Sequence, residues 1–236
     1  MIKKDSELPR CGRGRRVSRR LSREQRRQRI LKSAEVRFAA TGFGATTTRT
    51  LAKAAGVSEA MLAVHFGTKQ KLFEEVVRQN AQLRVAALGE RLFSIPDVPA
   101  LDCIASMAES TVLTCVEAAG NASVMAWALM ELPEFAADVY RTEIGAIEAL
   151  WDSEIGSRVT DPQLRAGLAV YVLPYAVHAC MSFGLWLAML HHQPATAKAH
   201  ARQYSEGIAN MARAVLNQAP ETLGTTACLP VGGGSG

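Results

Sequence analysis

Residues 46–66 read TTTRTLAKAAGVSEAMLAVHF, and this stretch decides the fold. Leu51, Ala52 and Ala55 recur at helical spacing and give residues 47–55 one apolar face. Ala55-Gly56-Val57 reads as a tight turn, because Gly56 takes a positive φ at little steric cost. Ser58 follows as an N-cap whose hydroxyl accepts from an orphan backbone N–H. A second helix, 59–65, turns Leu62 and Phe66 inward. Two short helices around a glycine turn and a polar cap form a helix-turn-helix, a unit whose second helix lies in the DNA major groove.

Working outward, every flanking segment also reads as helix. Ser22 opens a helix to about Thr41, with Ile30, Leu31, Ala34 and Phe38 as its stripe and Gly42 as its stop. Thr68 caps a long helix, 69–94, with Leu72, Phe73, Val76, Val77, Leu83, Leu88 and Leu92 on one side. Ile95-Pro96-Asp97-Val98-Pro99 is a firm break. Beyond it come helices at 100–119, 122–132, 133–159, 162–190 and 194–217, several starting at or near a proline. Pro174 falls inside the fourth of these and is expected to kink it. Sparse β-branched and aromatic residues and abundant alanine agree with an all-α chain. The organisation is therefore a basic arm (1–21), a helix-turn-helix domain (22–68), a ligand-binding and dimerisation domain (69–217) that starts with connecting helix 69–94, and a flexible tail (218–236).

Charge is unevenly spread. Residues 1–29 hold ten arginines and two lysines against Asp5, Glu7 and Glu24, a local balance of +9 in a chain of net +5. A basic end on a mildly acidic body is the footprint of a nucleic-acid binder with a second function. Within the arm, Arg13 and Arg15 flank Gly14. Such a core can lie in a narrow A·T-rich minor groove, or serve as a nonspecific polycation.

Residues 23–78 resemble the DNA-binding domain of the TetR (tetracycline repressor) family. The likeness is carried by Ile30-Leu31-x-x-Ala34, Phe38, Gly42-Phe43, Thr46-Thr47, Leu51-Ala52, Ala55-Gly56-Val57-Ser58, His65-Phe66, Lys69 and Leu72. Met130-Glu131-Leu132-Pro133-Glu134-Phe135 is weakly similar to a segment of AcrR-like members, whose targets are often efflux genes. The resemblance implies a homodimeric transcriptional regulator, usually a repressor released from its operator by a small ligand, and the odd number of cysteines without a C-x-x-C reads separately as a reduced, cytoplasmic protein. Two departures stand out. Family members commonly carry Gly or another small residue where Ala60 stands, and a phosphate-binding Tyr where Ala63 stands.

The residues themselves supply roles. Thr47 and the backbone N–H groups at its helix start suit a phosphate. Arg49 reaches phosphate or a guanine edge. Ser58, Glu59, Ala60 and Met61 open the recognition helix. There Glu59 suits cytosine N4 and Met61 a thymine methyl. His65 and Lys69 suit backbone phosphates. A partner of this kind is a double-stranded operator, palindromic if the protein is a symmetric dimer.

The second domain is expected to hold a pocket among the helices from about 70 to 190. Its supply of large adaptable groups includes Met107, Trp127, Met130, Trp151, Tyr171, Tyr175 and His178. Tyr175 and His178 lie three apart beside Pro174. With no Asp, Glu, Lys or Arg between Ala166 and Leu190, a hydrophobic or aromatic effector fits better than a charged one. Helices 162–190 and 194–217 from two subunits suit a four-helix interface. The helix 69–94 reads as the only rod joining both domains, and so as the lever.

Other classes fare worse. No Ser/His/Asp set with a nucleophile elbow, no phosphate loop and no metal signature is present, so neither enzyme activity nor a cofactor is expected. The uncharged run 166–190 is long enough for a membrane anchor. Pro174, His178 and the amphipathic helices before it argue instead for a buried helix and no membrane. The five cysteines form no C-x-x-C. Release by cysteine oxidation would have to use Cys103, Cys115 or Cys180, all within apolar helices where thiols are inert.

The recognition helix carries no positive charge, so affinity must come from elsewhere, and the arm is the available source. Each phosphate contact adds about 0.9 to the slope of log K against log salt. Deleting residues 1–20 is therefore expected to flatten that slope by several units in a fluorescence-anisotropy titration. An unchanged slope would show that the arm makes no phosphate contacts.

Overall fold

The computed structural model describes residues 22–190 and 194–218. The arm with Arg13 and Arg15, and the tail beyond 218, lie outside the described residues. Ten α-helices and one π-helical turn make up the chain among the described residues: α1 (Arg23–Ala45), α2 (Thr48–Ala55), α3 (Glu59–Phe66), α4 (Lys69–Leu92), α5 (Ala100–Glu117), α6 (Ala119–Glu131), α7 (Pro133–Arg158), α8 (Pro162–Gly167), the π turn (Leu168–Val172), α9 (Leu173–Met189) and α10 (Pro194–Gln218).

Local chemistry explains most of the ends. Ser22 caps α1 in a capping box with Gln25, each side chain bonding the other's backbone N–H. Gly42 interrupts α1 at φ 77°, ψ −178°, so the regular helix stops at the glycine, as its sequence reading implies, and one further turn reaches Ala45. Pro174 has no N–H to offer Val170. The chain widens into the π turn just before it, and Leu173 N–H donates back to Leu168 O. The expected kink is thus a local widening of the helix.

Two apolar cores form. The first joins Ile30, Phe38, Leu51, Leu62, Phe66 and the first half of α4 to Val124, Met125 and Ala128 of α6. The second joins the end of α4 to α5, α7, α9 and α10 around Met107, Trp151 and Val177. The helix α4 runs through both. Where they meet, Arg84 on α4 donates through Nε and Nη2 to the two carboxylate oxygens of Glu143 on α7, at 2.6 and 2.8 Å. Both side chains are buried, at 2% and 0% exposure. Burial opposes the charge on Arg84, but the hydrogen bonds and the charge of Glu143 outweigh it and hold the guanidinium above its ordinary pKa.

The expectation that 69–94 alone joins the two parts is corrected here. The C-terminal half of α6 packs on the end of α1. Trp127 Nε1 donates to Ala39 O at 3.2 Å, and Glu131 Oε2 accepts from the Gly44 N–H at 2.6 Å. A Cβ on Gly42 would lie 2.6 Å from Glu131 Oε1 and 2.8 Å from the Trp127 ring. The second link escapes a sequence reading because it joins residues nearly ninety positions apart, which no local spacing reveals. Among the described residues, no single helix is long and apolar enough to cross a membrane, though the bent α5–α6 pair meets that test by length and composition.

Two stability measurements follow. Glu143→Ala strands a buried guanidinium and is expected to cost about 3–5 kcal/mol in urea unfolding, whereas the double variant Arg84→Met/Glu143→Leu recovers most of that loss. Gly42→Ala is expected to cost about 1–3 kcal/mol, because it places a Cβ at positive φ against Trp127 and Glu131. Gly44→Ala, whose Cβ would meet its nearest atom at 3.6 Å, is expected to cost clearly less.

Candidate nucleic-acid interface

The helix-turn-helix is built from caps. Thr47 accepts from Thr50 N–H at 3.2 Å, and Thr50 Oγ1 accepts from Thr47 N–H at 3.1 Å, a closed box that starts α2. Gly56 ends α2 at φ 67°, ψ 38°, and Val57 N–H reaches back to Ala52 O. Ser58 Oγ accepts from Met61 N–H at 3.1 Å and starts α3. Thr68 does the same for α4 through Lys71 N–H. Leu62 and Phe66 are buried in the first core, as their spacing implies.

The remaining residues of α3 divide cleanly. Met61 and His65 are half-buried, whereas Glu59, Ala60, Ala63 and Val64 are exposed. One carboxylate oxygen of Glu59 accepts from the Thr48 hydroxyl on α2 at 2.7 Å. Arg49 is exposed and has no partner among the described residues. Lys69 is turned inward: its Nζ donates to Phe43 O and Thr46 O at 2.8 and 2.9 Å and lies 4.1 Å from the Phe43 ring centroid. Two of its three donors thus fasten the end of α1 to the start of α4. The hydroxyls of Thr47 and Ser58 are likewise engaged as caps.

Two residues outside the sequence-based set matter here. Arg27 on α1 donates to the His65 carbonyl at 2.7 Å and to both oxygens of Glu75 on α4, with its guanidinium 4.5 Å from the Phe66 ring centroid. It clamps the end of α3 between α1 and α4. Val64, 76% exposed, is the other. Helical spacing alone places it opposite Leu62 and Phe66, which is signal enough to find it. Arg27, one arginine in a basic run, carries no such signal.

The seven residues expected to line a ligand pocket do not converge. Met107 and Trp151 are packed in the second core, where Trp151 Nε1 donates to Thr111 at 3.2 Å. Trp127 sits at the α1–α6 junction. Met130 and Tyr175 are 74% and 68% exposed. His178 is exposed on α9, with Nδ1 2.7 Å from Pro174 O and 3.7 Å from Glu148. The Tyr171 side chain lies outside the described residues. A groove of about 370 Å³ opens between α4 and α7, lined by Ala81, Gln82, Val85, Val139, Glu143 and Ala146 among others, and none of the seven lines it. The thiols of Cys103, Cys115 and Cys180 are buried and unbridged, and burial pushes each upward, Cys115 to about 12.

Residues 30–76 match the family model of bacterial regulatory proteins of the tetR family. Solved structures of similar fold include a tetR-family regulatory protein from Rhodococcus RHA1, with 23% identity over 80% of this chain and 97% of that one, at a TM-score of 0.62. A second is the TetR-family transcriptional regulator PfmR from Thermus thermophilus, with 25% identity over 77% of this chain and 97% of that one, at 0.58. A third is GusR of Salmonella enterica, with 18% identity over 81% and 95%, at 0.57. No curated protein matches the chain in sequence. Residues 30–76 are thus a DNA-binding domain of the tetR type, and the all-helical body beyond them completes the fold seen in solved TetR-family regulators.

Proposed function

We propose that the chain is a ligand-responsive repressor that acts in the cytoplasm. A homodimer holds a palindromic operator with two copies of α3, and an uncharged hydrophobic or aromatic molecule releases it. The observation that carries this reading is the capped, outward-facing α3, clamped at its end by Arg27 and seated on the first core. Symmetry supports a palindrome, since two equivalent reading helices require two equivalent half-sites.

The dimer contact is assigned to residues 162–190 and 194–217. Val170, Tyr175, Trp186 and Met211 leave apolar surface exposed there, which a second subunit would cover. The effector is assigned to the second domain, and the largely apolar α4–α7 groove supports a ligand of low charge. Its effect on DNA would travel by two routes. The helix α4 passes from the groove to Lys69, and α6 ends on the Gly42–Gly44 corner through Trp127 and Glu131. A ligand that favours a different setting of either helix changes the spacing of the two reading helices, and the operator then favours the other state.

Sequencing of DNA selected from a random pool by the purified full-length protein tests this. The expected result is one enriched palindrome with half-sites about one helical turn apart. Enrichment of no palindrome would overturn the reading.

A further inference from the structure

The recognition helix presents an unusual surface. Its outward stripe is Ala60, Ala63 and Val64, at positions i, i+3 and i+4, and Val64 is the most exposed large apolar side chain among the described residues. None of the three side chains carries a donor or an acceptor. The one ionised group on α3, Glu59, is drawn to Thr48 on α2. One donor at the helix start is engaged too, because Met61 N–H already donates to Ser58. A valine left in water also lowers helix propensity without burying surface. The stripe is therefore poorly suited to hydrogen-bonded readout and well suited to an apolar contact.

In the major groove, thymine is the one standard base with an apolar feature, its C5 methyl group. The other three edges present only donors and acceptors, and an apolar side chain pressed on those would strip them of water without replacing it. We propose that α3 selects thymine within each half-site through methyl contacts to Ala60, Ala63 and Val64, with Val64 as the principal reader. This rests on the reading of α3 as the DNA-facing helix, and it replaces cytosine readout by Glu59 as the source of selectivity. The commitment to DNA as occupant follows from the helix-turn-helix setting of the stripe and from the twelve cationic residues within 1–29.

The test uses the full-length protein and the operator recovered by selection. Each half-site thymine is replaced in turn by deoxyuridine, which removes the methyl and keeps every hydrogen-bonding atom. Loss of one buried methyl is expected to weaken binding about fourfold. That loss should be the same at low and high salt, because no phosphate contact changes. Val64→Ala, at an exposed site that leaves folding intact, is expected to weaken binding to the natural operator and to abolish the penalty at one deoxyuridine position. A palindrome that binds equally well with deoxyuridine throughout both half-sites would overturn the methyl readout while leaving the regulator reading standing. Failure to recover any palindrome would instead overturn the regulator reading, and the methyl readout with it.

Discussion

The corner at Gly42–Thr46 is the constraint on which the rest of the molecule depends. Three elements meet there and each is tied to backbone. Lys69, at the start of α4, holds the carbonyls of Phe43 and Thr46. Glu131, at the end of α6, holds the N–H of Gly44, and Trp127 lies where a Gly42 side chain would have to go. Thr46 is buried beneath them and donates to Gly42 O at 2.6 Å. The orientation of α2 and α3 relative to the C-terminal body is set by these few groups, because the chain enters the helix-turn-helix through this corner. Backbone contacts suit such a role, since they leave fewer side-chain rotamers by which the corner could loosen.

The α4 helix is cohesive at both ends and polar at its waist. Its first half contributes Leu72, Phe73, Val76 and Val77 to one core, and its last turns contribute Leu88 and Leu92 to the other. Between them, Asn80 and Arg84 are buried. The Nδ2 of Asn80 and the Nη1 of Arg84 find no acceptor among the described residues. A buried charge pair contributes less to stability than apolar packing of the same volume, but it fixes one alignment of its partners through two directed bonds. Arg84 and Glu143 thus set the register of α4 against α7 at the level of the α4–α7 groove. Any molecule entering that groove lies against the two helices that this buried contact aligns.

Much of this is legible in the sequence. The helix boundaries follow from capping residues and from proline and glycine, which act within a few positions of themselves. The caps at Thr47, Ser58 and Thr68, the turn at Gly56 and the inward pair Leu62 and Phe66 stand where local chemistry places them. What local chemistry does not contain is the partner of a side chain distant in sequence. Lys69 reads as a phosphate ligand because it opens a helix beside the DNA, yet its ammonium reaches two carbonyls of the preceding corner. Glu59 reads as a base contact, yet the Thr48 hydroxyl is within its reach. Trp127 and Met130 read as pocket residues because they are large and adaptable. One closes the junction with α1, and the other faces outward. Periodicity tells which face of a helix is buried, but not what buries it.

The same contacts fit a separation of tasks in the DNA binding proposed for this chain. Inside the domain, two positive charges beside the reading helix are taken up by architecture: Arg27 by His65 O and Glu75, and Lys69 by the α1 corner. That leaves α3 apolar on its outer stripe, with Arg49, Lys53 and Lys71 as exposed cations on the helices next to it. A surface of this kind discriminates among bases at close range but attracts a polyanion weakly, since methyl contacts act only on touching. Attraction at a distance needs unpaired positive charge, and in this chain that charge is concentrated before residue 30. Selectivity and grip then answer to different conditions. In the proposed reading, contacts to methyl groups are indifferent to salt, whereas the pull expected of the arginine-rich segment fades as ionic strength rises and the Debye length shortens to about 8 Å at physiological salt.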